Sequence, residues 1–228
     1  MKPIKTALLA GILALTGGNS ANWNTTVVES NQGHVIGNPQ ARTTLAEYIS
    51  YTCPHCAQFS VEGDPVIKLA FVHQGSLKLE IRHLLRDPID LTAAMLAHCG
   101  DAAKFPLNHA AFMSTQARWL DVARKANAAQ VQRWSRRDHS AARRAIAADL
   151  GFYELMAGRG YDRVAIDRCL NAEVKAAAMA KTSAGDIQRL GLQGTPSFVL
   201  DGKLLDGVHS WAALEPHLTS KAVGAPAQ

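Results

Sequence analysis

The chain has no hydrophobic run that would cross a membrane comfortably. The apolar stretch near its start, residues 7–15, is far shorter than the roughly 20 apolar residues that a spanning helix requires. Lys2 and Lys5 precede this stretch, and small or polar residues follow it as far as Ala21, which is the pattern of a secretory signal peptide. We therefore predict that residues 1–21 are a signal peptide and that the remainder is exported.

Cysteine is scarce, with four residues in a chain of 228. Cys53 and Cys56 lie close together, but a zinc site would need a second ligand pair at suitable spacing, and the sequence offers none. A c-type haem site would need a histidine directly after Cys56, where Ala57 stands instead. We therefore predict neither a metal site nor a cofactor.

The net charge of the chain is also small. The net charge of +5 does not by itself indicate nucleic acid binding, and we predict none. A run of arginines has few aromatic neighbours and is accompanied by Asp138 and Asp149, so we expect a solvated helix face, with a docking surface for an acidic partner as the alternative. The arginines of this run are Arg133, Arg136, Arg137, Arg143 and Arg144.

If the protein is exported, its few cysteines are expected to form disulfides, because cysteines pair in an oxidising compartment. Pairing Cys53 with its neighbour Cys56 leaves Cys99 with Cys169, which both lie on apolar stripes of predicted helices. A structural disulfide there would close a loop of about 70 residues and stabilise the fold by about 2–5 kcal/mol. Buried free thiols and, least favoured, a metal-binding pair are the alternatives.

The stretch around the close cysteines predicts a reactive dithiol at the start of a helix. Pro54 suits the first helical position, which makes Cys53 the predicted N-cap. The sulfur of an N-cap cysteine faces the free backbone N–H groups of His55 and Cys56, and the positive helix end favours a thiolate. A protonated His55 would add to this effect. We therefore predict that Cys53 is the nucleophile and Cys56 the resolving thiol.

The rest of the chain alternates between strand and helix patterns. Three segments before the alanine-rich region are predicted strands, and the order strand, helix, strand around the cysteines predicts a parallel pair. These segments are residues 33–37, 43–50 and 77–82. Residues 91–185 are alanine-rich with helical spacing, which predicts several helices. Later, Asp201-Gly202 between two apolar runs predicts an antiparallel hairpin.

Glu47 is an acid on the apolar face of the strand that leads into the cysteines, between Leu45 and Ile49. One interpretation places it at a solvated sheet edge. The other makes it a partly buried carboxylate beneath the dithiol, where it could carry a proton to or from Cys56.

Two stretches together carry a resemblance to a known family. The sequence from Glu47 to Cys56, with its Cys-Pro-His-Cys tetrapeptide, and the sequence from Gly194 to Phe198 resemble the DsbA-like thioredoxin-fold oxidoreductases of bacterial periplasms. The resemblance covers nearly all of the chain beyond the predicted signal. It implies an α/β thioredoxin-like fold built from residues 26–90 and 186–221, with an inserted α-helical domain at residues 91–185.

The resemblance also implies roles for individual residues. Cys53 and Cys56 match the redox pair, and Glu47 matches the buried acid of the family. Pro196 matches the cis-proline opposite the dithiol. Thr195 stands where DsbA itself usually has valine, and threonine there also occurs in the isomerase and reductase branches.

The implied function is that of a periplasmic thiol oxidase. The Cys53–Cys56 disulfide would be donated to exported proteins with free cysteines, and a quinone-linked membrane protein would restore it. A disulfide isomerase or reductase of the same fold is the alternative. The short segment before the first strand leaves no room for an isomerase-type dimerisation domain, so we expect a monomer.

The pair Cys99 and Cys169 resembles a helical-domain disulfide of some relatives.

Overall fold

The structure, a computed structural model, describes residues 22–30 and 33–223. The predicted signal peptide, residues 1–21, lies outside the described residues. The described chain forms a six-stranded sheet in the order β1-β2-β4-β3-β5-β6. The strands are β1 (Val27–Glu29), β2 (Gly33–Gly37), β3 (Thr43–Ile49), β4 (Leu77–His83), β5 (Ser197–Leu200) and β6 (Lys203–Leu204).

Helices make up most of the remaining described chain, and the majority of them fall between β4 and β5. They are α1 (Pro54–Glu62), α2 (Asp64–Ile67), α3 (Pro88–Ala97), α4 (Phe105–Ser114), α5 (Gln116–Arg124), α6 (Ala128–Trp134), α7 (His139–Asp149), α8 (Phe152–Ala157), α9 (Arg163–Leu170), α10 (Glu173–Leu190) and α11 (Trp211–Val223). A π-helical turn (Lys68–Val72) and short 3₁₀ turns at Trp23–Thr25 and Ala102–Lys104 are also present.

The centre of the sheet is the pair β3 and β4, which run parallel and are connected through α1 and α2. This confirms the parallel pair predicted from the sequence. β5 pairs antiparallel with β3, with Glu47 opposite Phe198, so β3 is an interior strand rather than an edge. The predicted hairpin is also confirmed: β5 and β6 pair antiparallel across Asp201 and Gly202, which both have positive φ, as a type I′ turn requires.

The helix after the cysteines is interrupted where Gly63-Asp64-Pro65 predicts a break. Gly63 packs against the aromatic ring of Phe59, because a Cβ atom at Gly63 would lie 2.7 Å from two ring carbons. The break therefore lets the chain pass close to this buried ring and places Asp64 at the start of α2. The last helix, α11, begins at Trp211 and continues through Pro216.

The helices between the sheet halves pack on one another and on the sheet through one large apolar cluster. This helical segment begins at Pro88 and its last helix ends at Leu190, so it extends beyond residues 91–185 at both ends. The boundaries of an inserted domain remain a prediction. A disulfide joins Cys99, which follows α3, to Cys169 in α9, with the two Cα atoms 5.7 Å apart.

The arginine run is not a uniformly solvated face, and that expectation is wrong for Arg143. Arg143 is 4% exposed; its guanidinium donates to the carbonyl of Leu170 and pairs with Glu173. Arg133 donates to both carboxylate oxygens of Asp149 at 2.8 and 2.9 Å. The run therefore ties helices α6, α7 and α10 together, because fixed acceptors face it across the helix junctions.

Across the part of the chain that the structure describes, no helix combines the length and the apolar character that crossing a bilayer demands.

Candidate active site

Cys53 and Cys56 lie at the junction between the end of β3 and the start of α1. Cys53 is the N-cap of α1, with extended backbone angles, and Pro54 occupies the first turn. Cys53 is 3% exposed and Cys56 is fully buried, and both are free thiols. His55 is exposed beside them. Of these two residues, only Cys53 retains any exposed surface.

The two sulfurs differ in acidity. The pKa of Cys53 falls from its ordinary 9.0 to about 5, because the thiol of Cys56 and the backbone N–H groups of Cys56 and His55 stabilise its thiolate. Burial, followed by the hydrogen bond and charge of Cys53, raises the pKa of Cys56 well above its ordinary value. At neutral pH the pair therefore holds one proton, on the inner sulfur.

A loop from the far end of the chain faces the dithiol. The carbonyl oxygen of Thr195 lies 3.1 Å from the sulfur of Cys53 and accepts a hydrogen bond from the thiol when Cys53 is protonated. The Thr195–Pro196 peptide bond is cis. Two side chains support this loop: Ser197 donates to the carbonyl of Gly194, and the Nδ1 of His209 lies 2.7 Å from the carbonyl of Pro196.

A buried acid pair lies within the sheet-helix core. Glu47 is 1% exposed, so the interpretation of Glu47 as a solvated edge residue is wrong. Burial, and then the charge and hydrogen bond of Asp64, raise the pKa of Glu47 well above its usual range. Burial alone would raise the pKa of Asp64 as well, but His109 and Lys68 outweigh it and lower that pKa. The pair therefore favours the neutral form of Glu47 and the ionised form of Asp64.

The turn that carries the dithiol is held by side chains from the helical segment. Asp90 accepts hydrogen bonds from the hydroxyl of Ser50 at 2.6 Å and the N–H of Tyr51 at 2.7 Å. The hydroxyl of Thr52 donates to Asp87 at 2.8 Å. Sequence reasoning missed both acids. The signal that was available is the sequence Asp87-Pro88, which is a helix start, but nothing local indicates what it faces.

Gln116 is a second missed residue. Its side-chain amide donates to the carbonyl of Tyr51 at 2.7 Å and to the carbonyl of Cys53 at 2.9 Å, and the side chain is buried. Through these bonds, a side chain of the helical segment satisfies two backbone carbonyls next to the dithiol. No sequence pattern identifies such a contact, because 63 residues separate Gln116 from Cys53.

Comparison with known proteins agrees with this geometry. The family model described as Thioredoxin matches residues 29–219. A protein of Rickettsia typhi, whose name assigns it provisionally to the protein-disulfide oxidoreductases, is 32% identical over 90 residues, covering 39% of this chain and 33% of that protein. The chain thus spans about a third of the length of the curated relatives that it matches in this way.

Solved structures match over a larger share of the chain. A protein-disulfide isomerase from Novosphingobium aromaticivorans superposes with a TM-score of 0.80 at 41% identity, covering 83% of this chain and 97% of that one. The α-DsbA1 protein of Wolbachia pipientis has a TM-score of 0.66 at 20% identity, covering 88% and 95%, which shows a shared fold. The chain therefore belongs to the thioredoxin family and has the fold of its DsbA-like members, a thioredoxin sheet interrupted by a helical segment.

Proposed function

We propose that this protein is a thiol:disulfide oxidoreductase of the DsbA type, which donates a Cys53–Cys56 disulfide to exported proteins with free cysteines. One observation carries the proposal. The sulfur of Cys53 sits at a helix N-cap with a pKa of about 5, beside the backbone of Thr195, while Cys56 is fully buried and its pKa is raised. Such a pair stores an oxidising disulfide, because the thiolate that forms on reduction is stabilised.

The reaction proceeds in two exchanges. A substrate thiolate attacks the Cys53 sulfur of the closed disulfide, the bond to Cys56 breaks, and Cys56 takes up a proton. A second substrate thiolate then attacks the substrate sulfur of the mixed disulfide and releases Cys53 as a thiolate. Two electrons pass from the substrate to the protein, and the substrate gains a disulfide. A leaving group of low pKa, here Cys53, accelerates the second exchange.

The surroundings of the dithiol suit these steps. The backbone at Thr195 faces Cys53 and would align an extended substrate peptide beside the sulfur under attack. Pro54 and His55 would favour the thiolate of Cys53 through the helix start that they form. Glu47, whose pKa is raised by burial, would supply a proton to Cys56 when that sulfur leaves.

An isomerase or reductase role is the second candidate, favoured by threonine at position 195 and by the isomerase name of the Novosphingobium aromaticivorans relative. The reduction potential separates the two roles. An equilibrium titration of the purified protein against reduced and oxidised glutathione should give an oxidising value. A strongly reducing value would assign the protein to the reductases instead.

Substitution of each cysteine tests the exchange chemistry. Cys53→Ser should abolish oxidation of a reduced, unfolded substrate protein, because no accessible sulfur remains at the helix start. Cys56→Ser should attack small disulfides such as oxidised glutathione, releasing one thiol, and form mixed disulfides that persist, because no second thiol of the protein can release them. Full activity of either variant would refute the assignment. The Cys99→Ala/Cys169→Ala double variant is the matched control and should oxidise substrate normally.

We further propose that the protein acts as a monomer in the periplasm and is reoxidised by a quinone-linked membrane protein. The predicted signal peptide and the chemistry of export support this location. Reoxidation of the reduced protein by bacterial membranes, but not by quinone-depleted membranes, is the expected result. Equal rates with both preparations would contradict it.

A further inference from the structure

A cluster of histidines lies between β1, β2 and the end of α3, and the proposed thiol chemistry does not use it. Glu29 ends β1, His34 lies in β2, and His98 directly follows α3. One ligand atom of each of these residues lies within 4.8 Å of the others. Nδ1 of His98 is 3.3 Å from a carboxylate oxygen of Glu29. Two atoms bound to one tetrahedral zinc ion at about 2.0–2.1 Å would have a similar separation.

The two imidazoles are buried and held in place. His34 is 1% exposed, its ring stacks on Phe105 with centroids 3.8 Å apart, and its Nδ1 has no hydrogen-bond partner. His98 is 7% exposed, and its Nε2 lies 2.7 Å from Nε2 of His83. A proton on Nε2 of His98 would be donated to His83 and leave Nδ1 with a free lone pair toward Glu29. A neighbouring group that fixes the orientation of a ligand histidine in this way is a common feature of metal sites.

We propose that Glu29, His34 and His98 form a binding site for a divalent cation of the zinc class. Two imidazoles and one carboxylate suit Zn²⁺, which prefers nitrogen and oxygen ligands of this kind. Glu29 and His98 also line a cavity of about 940 Å³, so solvent can reach the site and complete the coordination with water.

Lys175 competes for this site. Its ammonium lies 2.7 Å from the same oxygen of Glu29 that faces His98, and its side chain is about one-third exposed. A cation that binds the carboxylate must displace the ammonium, which can turn into the adjoining cavity. Lys175 should therefore weaken binding, because its charge occupies the carboxylate and repels a second cation. Adventitious binding of a cation to surface histidines would not depend on Lys175, so the effect of Lys175 on affinity distinguishes the two cases.

The test is calorimetric titration of Zn²⁺ into the full chain with the Cys53–Cys56 disulfide closed, so that no free thiol competes for the metal. Wild type should bind one ion per chain. Glu29→Gln should weaken the affinity at least about tenfold, the lower limit expected for loss of a contributing group. Lys175→Met should strengthen it. His217→Ala, which removes an exposed histidine of α11, is the matched control and should leave this affinity unchanged.

Two further readouts distinguish this site from adventitious zinc binding at exposed histidines. Co²⁺ should give visible absorption bands of a four- or five-coordinate ion in wild type, weakened in Glu29→Gln. Affinity that is the same in wild type, Glu29→Gln and Lys175→Met would overturn the proposal, as would the absence of saturable binding. The variants should oxidise substrate at the wild-type rate without metal, so failure of the metal site and failure of the oxidoreductase function are distinguishable.

Discussion

The side-chain amide of Gln116 lies 2.9 Å from the carbonyl oxygen of Cys53, and this contact fastens the helical segment to the dithiol turn. The same amide also donates to the carbonyl of Tyr51. The helical segment therefore shapes the site directly rather than only covering the sheet, because both acceptors belong to the turn from which the reactive sulfur projects.

Removal of this amide should cost stability and slow exchange. Gln116→Leu takes a buried donor away from two carbonyls, which should lower the free energy of unfolding by about 1–3 kcal/mol. Urea denaturation measures this change, and stopped-flow reaction with a reduced substrate peptide measures the exchange rate. Gln58→Leu, at an exposed position of α1, is the matched control and should change neither quantity appreciably. Equal stabilities of the two variants would contradict the proposed role of Gln116.

The stability of the reduced protein should depend on pH through Cys53. Its pKa is about 5 in the folded protein against 9.0 for an ordinary cysteine, so the stabilisation is complete above pH 9, shrinks as the pH falls, and is lost below pH 5. The closed disulfide has no such group. The melting temperature of the reduced form should therefore fall relative to that of the oxidised form between pH 7 and pH 4.

Thermal melts of both redox forms across this range provide the measurement. Cys53→Ser, which has no thiolate at this position, should show no such fall in the same window. A difference between the redox forms that stays constant from pH 7 to pH 4 would show that the helix start does not stabilise the thiolate.

Glu47 should make the folded protein less stable as the pH rises. Its folded pKa is raised, so the folded state holds the proton more tightly than the unfolded chain does, and this contribution is lost as the pH rises toward and through the folded pKa. Glu47→Gln removes the titrating group while keeping the shape. The variant should therefore lose less stability than wild type on going from acid to alkaline pH in denaturant titrations.

The same substitution should affect the chemistry. A glutamine cannot supply a proton to Cys56, so formation of the mixed disulfide from the oxidised protein should slow in Glu47→Gln. Glu62→Gln, at the exposed end of α1, is the control for both measurements. A rate for Glu47→Gln that matches the control at all pH values would remove Glu47 from the mechanism.

The bond between Cys99 and Cys169 should stabilise the fold without taking part in exchange. It joins positions separated by 70 residues, for which loss of the cross-link should cost about 2–5 kcal/mol. The Cys99→Ala/Cys169→Ala variant should unfold at lower denaturant concentration yet keep the reduction potential of wild type. A shifted reduction potential would mean that this disulfide is energetically coupled to the Cys53–Cys56 pair.

Local rules were enough to predict the dithiol turn. Proline after a cysteine at the end of a strand places that cysteine at a helix N-cap, and Asp201-Gly202 suits the positive φ angles of a tight hairpin. Both depend on backbone preferences of adjacent residues, so distant parts of the chain do not alter them. The parallel pairing of β3 and β4 followed from the order of elements, because a helical crossover between two neighbouring strands returns the chain in the same direction.

Contacts between distant residues could not be predicted in this way. Arg143 was expected in solvent and lies buried beside Leu170 and Glu173, because helix packing brought two acceptors to it. Asp90 occupies an ordinary helix start in the sequence, and only the fold places it beneath Tyr51. Polar residues reveal their partners only after the chain has packed, since hydrogen bonds depend on position in space and not on spacing along the chain.

The sequence by itself determined the reactive element of this protein: two cysteines with a proline and a histidine between them, at the junction of a strand and a helix. Tertiary structure alone decided what surrounds that element. Burial of Glu47 in an interior strand, the Thr195 carbonyl beside Cys53, and the meeting of His34 with His98 all require chain segments far apart in sequence to converge. The physical reason is that a helix start depends on the backbone preferences of adjacent residues, whereas burial and pKa depend on everything packed around the group.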